Sequence, residues 1–141
     1  MIELNGAMAE AINKAAADAA PVLVSTSSAE GMPDIAYKGS VMVFDADHLA
    51  WWERSLGTTL ANVRANGHAC LYYVNRPARQ SYKFFGVAEV IDSGPIRDEV
   101  MSRTIQAELD RDPERKGVAV MVRVDKIVEP GKPPVVREQA G

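Results

Sequence analysis

Six stretches rich in apolar and β-branched residues, separated by glycine, proline or charged turns, predict six β-strands. These stretches are 21–28, 34–44, 48–53, 68–74, 80–91 and 117–128. We expect the first three strands to form a meander. Strands and helices do not alternate regularly along the chain, which favours an antiparallel barrel over a doubly wound parallel sheet. The predicted class is therefore mainly β with flanking helices.

Three segments have helical character. The alanine-rich segment 5–20 predicts an N-terminal helix that Pro21 terminates. A second helix is predicted from about Thr58 to Asn66, and a third from about Ile96 to Leu109. The inward stripe of the third helix is expected to consist of Ile96, Val100, Met101 and Ile105. The chain is thus interpreted as one domain over 1–141, with a barrel over 21–129 and a C-terminal tail over 130–141.

Two glycines interrupt predicted strands. Gly39 lies within 34–44, between Lys38 and Ser40, and Gly86 lies within 80–91. A glycine inside a strand often marks a bulge, a barrel corner or a close approach by a ligand or another backbone.

Composition excludes several classes of function. The 141 residues are 47% hydrophobic and carry a net charge of −3, with no basic stripe, so we expect no nucleic-acid partner. No segment resembles a secretion signal or a membrane span, and we expect no membrane association. The single cysteine, Cys70, excludes an internal disulfide, and the cytoplasm is the expected compartment. With only His48 and His68 besides this thiol, no metal site is predicted.

The segment 50–63 combines the end of a strand, a loop and the start of a helix. Ser55 lies in the loop, and Thr58 and Thr59 stand where the helix begins. The free N–H groups and positive dipole end of a first helical turn suit a phosphate. The alternative is that these hydroxyl groups are ordinary helix caps.

Three segments in this order resemble the pyridoxamine 5′-phosphate oxidase-like proteins, the FMN-binding split β-barrels, and especially their short bacterial members. The segment 31–40 begins Gly31-Met32-Pro33 and is similar to the family's G-x-P strand entry. The segment 49–71 is similar to its strand, loop, helix and strand. The segment 80–90 is similar to its strand with a central G-x-A. The resemblance covers about residues 20–92.

The resemblance implies a six-stranded antiparallel split β-barrel that binds FMN between the two subunits of a homodimer. It implies an oxidoreductase of a small organic substrate, or alternatively a non-catalytic flavin-binding or electron-transfer protein. The flavin phosphate would contact Lys38, Ser40, Ser55, Thr58 and Thr59, and Gly39 lies within this strand. The flavin edge would follow Trp51, Trp52 and Glu53, much of it through backbone groups. Gln80 and Ser81 would lie near the ring, from the same or the other subunit.

One position departs from the family. Its members often carry Lys or Arg where this chain has Thr58 and Thr59. Losing a charge-assisted contact costs about 1.5–3 kcal/mol of binding energy. Lys38 or Arg54 could compensate for this loss, or the cofactor could be a deazaflavin.

Other residues keep open alternatives. Trp51 and Trp52 lie on opposite strand faces and are either one core and one subunit-interface residue or stacking groups near the flavin. Lys38 is either an edge-strand lysine or a phosphate ligand. Arg76 and Arg79 are either solvated or contacts for an anionic substrate or the flavin phosphate. No nucleophile–base spacing indicates a hydrolytic triad, and the sequence identifies no catalytic residue.

Overall fold

The protein is an antiparallel β-sheet with flanking helices, as a computed structural model describes it for residues 1–20 and 22–138. The mainly β class is therefore confirmed. Pro21 and residues 139–141, the predicted helix terminator and the end of the predicted tail, lie outside the described residues. The strands are β1 Val22–Ser27, β2 Pro33–Lys38, β3 Met42–Asp45, β4 His48–Glu53, β5 His68–Asn75, β6 Gln80–Ile91, β7 Val118–Val128 and β8 Val135–Val136. The helices are α1 Gly6–Asn13, α2 Thr58–Ala65, α3 Pro95–Arg103 and α4 Gln106–Leu109.

The strand order is β2-β1-β5-β6-β7-β4-β3, with β8 paired to β7. The predicted strand 34–44 is two strands, β2 and β3, which lie at opposite ends of this order. Both neighbour pairings of the predicted meander are present, β1 with β2 and β3 with β4, but its middle strand is broken and the two parts do not continue one strand of the sheet. Over residues 1–20 and 22–138 the sheet has eight strands rather than six, and its ends are not joined by a ladder, which agrees with a split barrel.

Gly39–Val41 carries the chain from one end of the sheet to the other. Ser40 is 5% exposed, and its hydroxyl group accepts a hydrogen bond from the Trp52 N–H (3.0 Å) and donates one to the Trp52 carbonyl (3.2 Å). The Ser40 side chain thus satisfies the backbone groups of Trp52, which lies in β4 two residues beyond Ala50 of the Met42–Ala50 pair. The interruption seen in the sequence marks this crossing.

The sheet buries one face of most strands in a continuous apolar interior. β1 alternates between buried and half-buried residues, and Leu49, Trp51, Leu71, Phe84 and Val122 are fully buried. Ile12 of α1 and Val63 of α2 join the same core, so these helices cover parts of the interior that the strands leave open.

The outer face of the sheet has two unlike halves. Val100 of α3 and Leu109 of α4 cover β3, β4 and β7, where Trp52 is the largest buried side chain. The predicted third helix is divided at Thr104 into α3 and α4, and the predicted inward residues Ile96 and Ile105 are instead about 40% exposed. The outer face of β2, β1, β5 and β6 has no such cover among the described residues.

Gly86 lies at the irregularity between Phe85 and Gly86 in the β6–β7 ladder. A Cβ atom at this position would overlap the backbone carbonyl of Arg123. The predicted bend is therefore a place where two backbones approach too closely for any side chain.

Part of the predicted tail is attached to the sheet. Val135–Val136 pairs with Lys126 and Ile127, and the Arg137 guanidinium bonds the Val124 carbonyl and the Asp125 carboxylate. It also lies 3.1 Å from Asp47, in the turn between β3 and β4. No helix among the described residues is long and apolar enough to cross a membrane.

Candidate functional site

A pocket of about 220 Å³ lies where β2 ends, β4 ends and α4 crosses. It brings together six of the eleven predicted site residues: Lys38, Gly39, Ser40, Trp52, Glu53 and Ser55. Its other lining residues are Tyr37, Arg54, Glu108 and Arg111. More than half of the predicted site residues therefore lie together in the folded chain, and the pocket also contains residues that were not in the predicted set.

Lys38 and Glu53 form a buried ion pair at the ends of β2 and β4. The Lys38 Nζ lies 2.9 Å from Glu53 Oε1 and 3.2 Å from Oε2, and the two side chains are 10% and 0% exposed. The Trp51 indole N–H donates to the same carboxylate at 3.1 Å. Lys38 is thus not a plain edge-strand lysine, because its charge is balanced inside the molecule.

Arg54 and Glu108 form a second ion pair over the pocket. The Arg54 Nε lies 2.7 Å from Glu108 Oε2, with side chains 29% and 17% exposed. The Glu108 carboxylate covers Gly39 so closely that a Cβ atom at position 39 would overlap it. Within the described chain no carboxylate pairs with Arg111. The pocket therefore has one more basic side chain (Lys38, Arg54 and Arg111) than acidic ones (Glu53 and Glu108).

Helix α2 begins at Thr58, three residues after the pocket residue Ser55, and has no side-chain cap, while Thr58 and Thr59 themselves do not line the pocket. The N-cap residue is Gly57, and for this helix no side chain caps the first turn. Thr58 is exposed and Thr59 is 4% exposed, but neither occupies the cap position. The ordinary-cap interpretation of the two threonines is therefore wrong, and the N–H groups of the first turn remain available for an anion.

Both tryptophans are covered by their own chain. Trp51 is 0% exposed and points into the barrel, whereas Trp52 is 2% exposed and packs under α3 and α4. The prediction of opposite faces is correct. The expectation that one indole lies at a subunit interface is wrong, because the helices after β6 cover it.

Asp112 fixes Trp52 from behind the pocket. Its carboxylate accepts hydrogen bonds of 2.9 Å from the Trp52 indole and from the backbone N–H groups of Gly117 and Lys116. Burial raises the pKa of Asp112, but these three donors and the Arg115 charge outweigh it and hold the pKa below its ordinary value. The carboxylate therefore stays ionised and keeps the Trp52 indole in place.

Gln80 and Ser81 lie elsewhere. They start β6, and with Arg76 and Arg79 they line a shallow pocket of about 220 Å³ at the β5–β6 hairpin. The Gln80 amide donates to the Tyr82 hydroxyl at 2.8 Å. Within a single chain these residues do not share a pocket with Lys38, so a role near the same ligand would need the second subunit.

A larger pocket of about 330 Å³ lies on the other side of Gly39–Ser40, beside Asn13 and Arg103. The Arg103 guanidinium bonds the carbonyls of Val43 (2.6 Å) and Phe44 (3.0 Å). Since its charged group already serves the backbone of β3, this larger space carries less recognition chemistry than the pocket at Lys38.

Sequence reasoning missed Tyr37, Glu108 and Arg111 as pocket residues. Tyr37 was detectable, since it lies one residue from Lys38 in the segment that resembles the family. Glu108 and Arg111 gave no local signal, because α4 reaches the pocket only through the packing of residues far apart in sequence.

The comparisons with known proteins identify the family and the fold. A family model described as pyridoxamine 5′-phosphate oxidase matches residues 8–126. The chain belongs to the pyridoxamine 5′-phosphate oxidase family. A search of curated protein sequences finds no match.

Solved structures share the fold of this family member. A point variant of HupZ from Group A Streptococcus is 24% identical, with a TM-score of 0.71, and the match covers 92% of this chain and 99% of that one. A putative pyridoxamine 5′-phosphate oxidase from Lactobacillus delbrueckii is 22% identical over 91% and 99% of the two chains, with a TM-score of 0.68. An FMN-binding protein from Syntrophomonas wolfei is 14% identical over 89% and 87%, with a TM-score of 0.66.

Proposed function

We propose that this protein is an FMN-dependent oxidoreductase of a small organic substrate and works as a homodimer. The observation that carries the proposal is one pocket, built largely by the segments that resemble the family, in which three basic side chains lie together with Ser55, three residues before a helix start that has no side-chain cap. The cytoplasmic location remains a prediction from the single cysteine.

The donor set fits the phosphate end of FMN. Arg54 and Arg111 offer charge-assisted hydrogen bonds and Ser55 offers a hydroxyl group. The first turn of α2, which begins three residues after Ser55, would be a further source of backbone N–H groups. Arg54 thereby supplies the basic group that the Thr58–Thr59 pair lacks. Lys38 contributes less than the sequence suggested, because Glu53 already balances its charge.

The flavin ring needs a wall that one chain does not supply. The pocket of about 220 Å³ is smaller than the roughly 300–1,000 Å³ of typical ligand sites. Its rim residue Tyr37 is 69% exposed and belongs to the uncovered outer face of β2, β1, β5 and β6, together with Ile35 and Phe85. A second copy on this face would border the pocket at Tyr37 and bring a further wall to it.

When bound, FMN would supply the hydride chemistry itself. This chain's own residues would bind the phosphate, orient the ring and limit access of water. The proposal requires no acid–base pair in the pocket, which is consistent with the two pocket carboxylates both being held in ion pairs. The alternatives are a deazaflavin cofactor, which the uncharged Thr58–Thr59 pair favours, and a purely electron-carrying role.

The first test is the visible absorption spectrum of the purified protein after FMN addition and dialysis. Retained flavin bands that are bleached by NAD(P)H and return with a small organic acceptor would support the proposal. Retained bands without turnover would favour the electron carrier. If the protein stays colourless after FMN addition but retains a deazaflavin, a deazaflavin would take the place of FMN as the proposed cofactor.

Replacing Arg54 with glutamine tests the phosphate contact. We expect Arg54→Gln to weaken FMN binding by about 10- to 100-fold, because a charge-assisted contact is lost, and to leave riboflavin binding nearly unchanged. Fluorescence titration of each flavin measures both affinities. Arg64→Gln, at the exposed end of α2, is the matched control and should leave both affinities unchanged. Equal weakening of FMN and riboflavin would contradict a phosphate role for Arg54.

Replacing Phe85 with glutamate tests the dimer. Phe85 is 37% exposed on the uncovered outer face, and a carboxylate there would have to be buried if a second copy packs on it. Light scattering at micromolar concentration is expected to give a dimer for the unmodified chain and a monomer for Phe85→Glu. Ile96→Glu, which changes a 42% exposed residue of α3, should leave the dimer intact. A dimeric Phe85→Glu variant would place the interface elsewhere.

A further inference from the structure

The Glu108 carboxylate lies where an anionic ligand of the pocket would meet Arg54. It is 2.7 Å from the Arg54 Nε and covers Gly39, while Ser40 and Lys38 form the neighbouring wall. An anion that bound Arg54 from inside the pocket would therefore need the position that Glu108 takes, or would lie beside a like charge.

The two pocket carboxylates are held very differently. Glu53 is 0% exposed, ends a central strand and receives both Lys38 and the Trp51 indole, so it is part of the core. Glu108 is 17% exposed, stands on the four-residue helix α4, and has Arg54 as its single side-chain partner among the described residues. Only Glu108 can leave its partner by a change of rotamer.

Phosphate is the stronger partner for an arginine. A phosphate monoester carries more negative charge than a carboxylate and presents several acceptor oxygens to the guanidinium fork. Releasing Arg54 from Glu108 nevertheless costs an existing charge-assisted bond and leaves a carboxylate near the incoming anion. An uncharged ligand bears no such cost.

We propose that Glu108 is a specificity residue that competes with anionic ligands for Arg54, so that it lowers the pocket's preference for a phosphorylated flavin over an unphosphorylated one. The inference rests on the proposed function, because it concerns the same pocket. It assigns to α4 a part in recognition that neither the family resemblance nor the sequence pattern suggested.

The test compares Glu108→Gln with the unmodified protein. Glutamine keeps the length of the side chain and removes its charge. We expect Glu108→Gln to bind FMN about tenfold more tightly and riboflavin with unchanged affinity, since a like charge next to the phosphate is removed. Inorganic pyrophosphate, measured by calorimetry, should also bind about tenfold more tightly. Glu108→Ala, which removes the competing group altogether, should likewise bind FMN and pyrophosphate more tightly and leave the riboflavin affinity unchanged.

Glu114→Gln is the matched control. Glu114 is exposed and pairs with Lys116 outside the pocket, so its replacement should leave all three affinities unchanged. If Glu108→Gln and Glu108→Ala leave pyrophosphate and FMN affinities unchanged or reduced, the inference is overturned, whether or not the unmodified protein binds FMN. Tighter pyrophosphate binding by both variants in a protein that takes up no flavin would uphold the role of Glu108 and refute the FMN proposal.

Discussion

Replacing Lys38 with methionine is expected to lower the free energy of unfolding by about 3–5 kcal/mol, because it leaves a buried carboxylate without its cation. The Glu53 side chain is 0% exposed and would keep only the Trp51 indole N–H as a partner. Denaturant unfolding followed by tryptophan fluorescence measures the change, since Trp51 reports on this site directly. Lys38→Glu would face Glu53 with a second buried carboxylate, so loss of flavin in that variant would not distinguish binding from unfolding.

A double variant separates the unpaired charge from the loss of lysine packing. Lys38→Met combined with Glu53→Gln should recover most of the stability, because neutral groups of similar volume replace the whole ion pair. Lys14→Met is the matched control, since the Lys14–Glu10 pair is 59% and 65% exposed and should contribute little. If the double variant is as unstable as Lys38→Met alone, the cost lies in packing rather than in the charge of Glu53.

Replacing Asp112 with asparagine is expected to reduce stability by about 2–3 kcal/mol at pH 7 and by much less in acid. The ionised carboxylate accepts three hydrogen bonds, and hydrogen bonds to charged groups are the stronger ones. Because the pKa of Asp112 is lowered in the folded protein, its stabilising contribution is complete above the unfolded pKa of about 3.9. That contribution is lost as the pH falls through the folded pKa.

The difference in unfolding free energy between the unmodified protein and Asp112→Asn should therefore be constant from pH 7 to about pH 5 and shrink below about pH 4. Asp110→Asn changes an exposed neighbour that bonds Gln106, and it should give a small difference at every pH. If this difference in unfolding free energy stayed constant into acid, the asparagine would disrupt the packing of Trp52 by its shape and not by its missing charge. In the variant a looser Trp52 should also weaken ligand binding in the pocket.

The sequence predicted the class of fold because its strand signals are local. Alternating burial in β1 and β6 and the turn at Gly31 are each set by a few neighbouring residues. The division of 34–44 into β2 and β3 was not predictable in this way. It depends on the distant pairings β1–β5 and β4–β7, which put the two halves at opposite ends of the sheet, and on a Ser40 hydroxyl group that replaces a backbone partner of Trp52.

The functional site shows the same contrast between features set by nearby residues and features set by residues far apart in sequence. The segments that resemble the family lie close in sequence and identified most of the pocket, including Lys38, Gly39 and Ser55. The partners of its charges were hidden, because Glu108 is remote from Arg54 in sequence and Asp112 is remote from Trp52. A basic residue could be recognised as a candidate ligand, but whether its charge was already balanced could be known only from the fold.

The close approach of Glu108 to Gly39 also connects two positions that are far apart in sequence. A side chain at position 39 would overlap the Glu108 carboxylate where it now lies, but that carboxylate is the end of a flexible side chain and can turn away. A related chain with a side chain at position 39 is therefore expected to keep its fold and to displace the covering carboxylate. Its Arg54 would then be free for a more highly charged ligand.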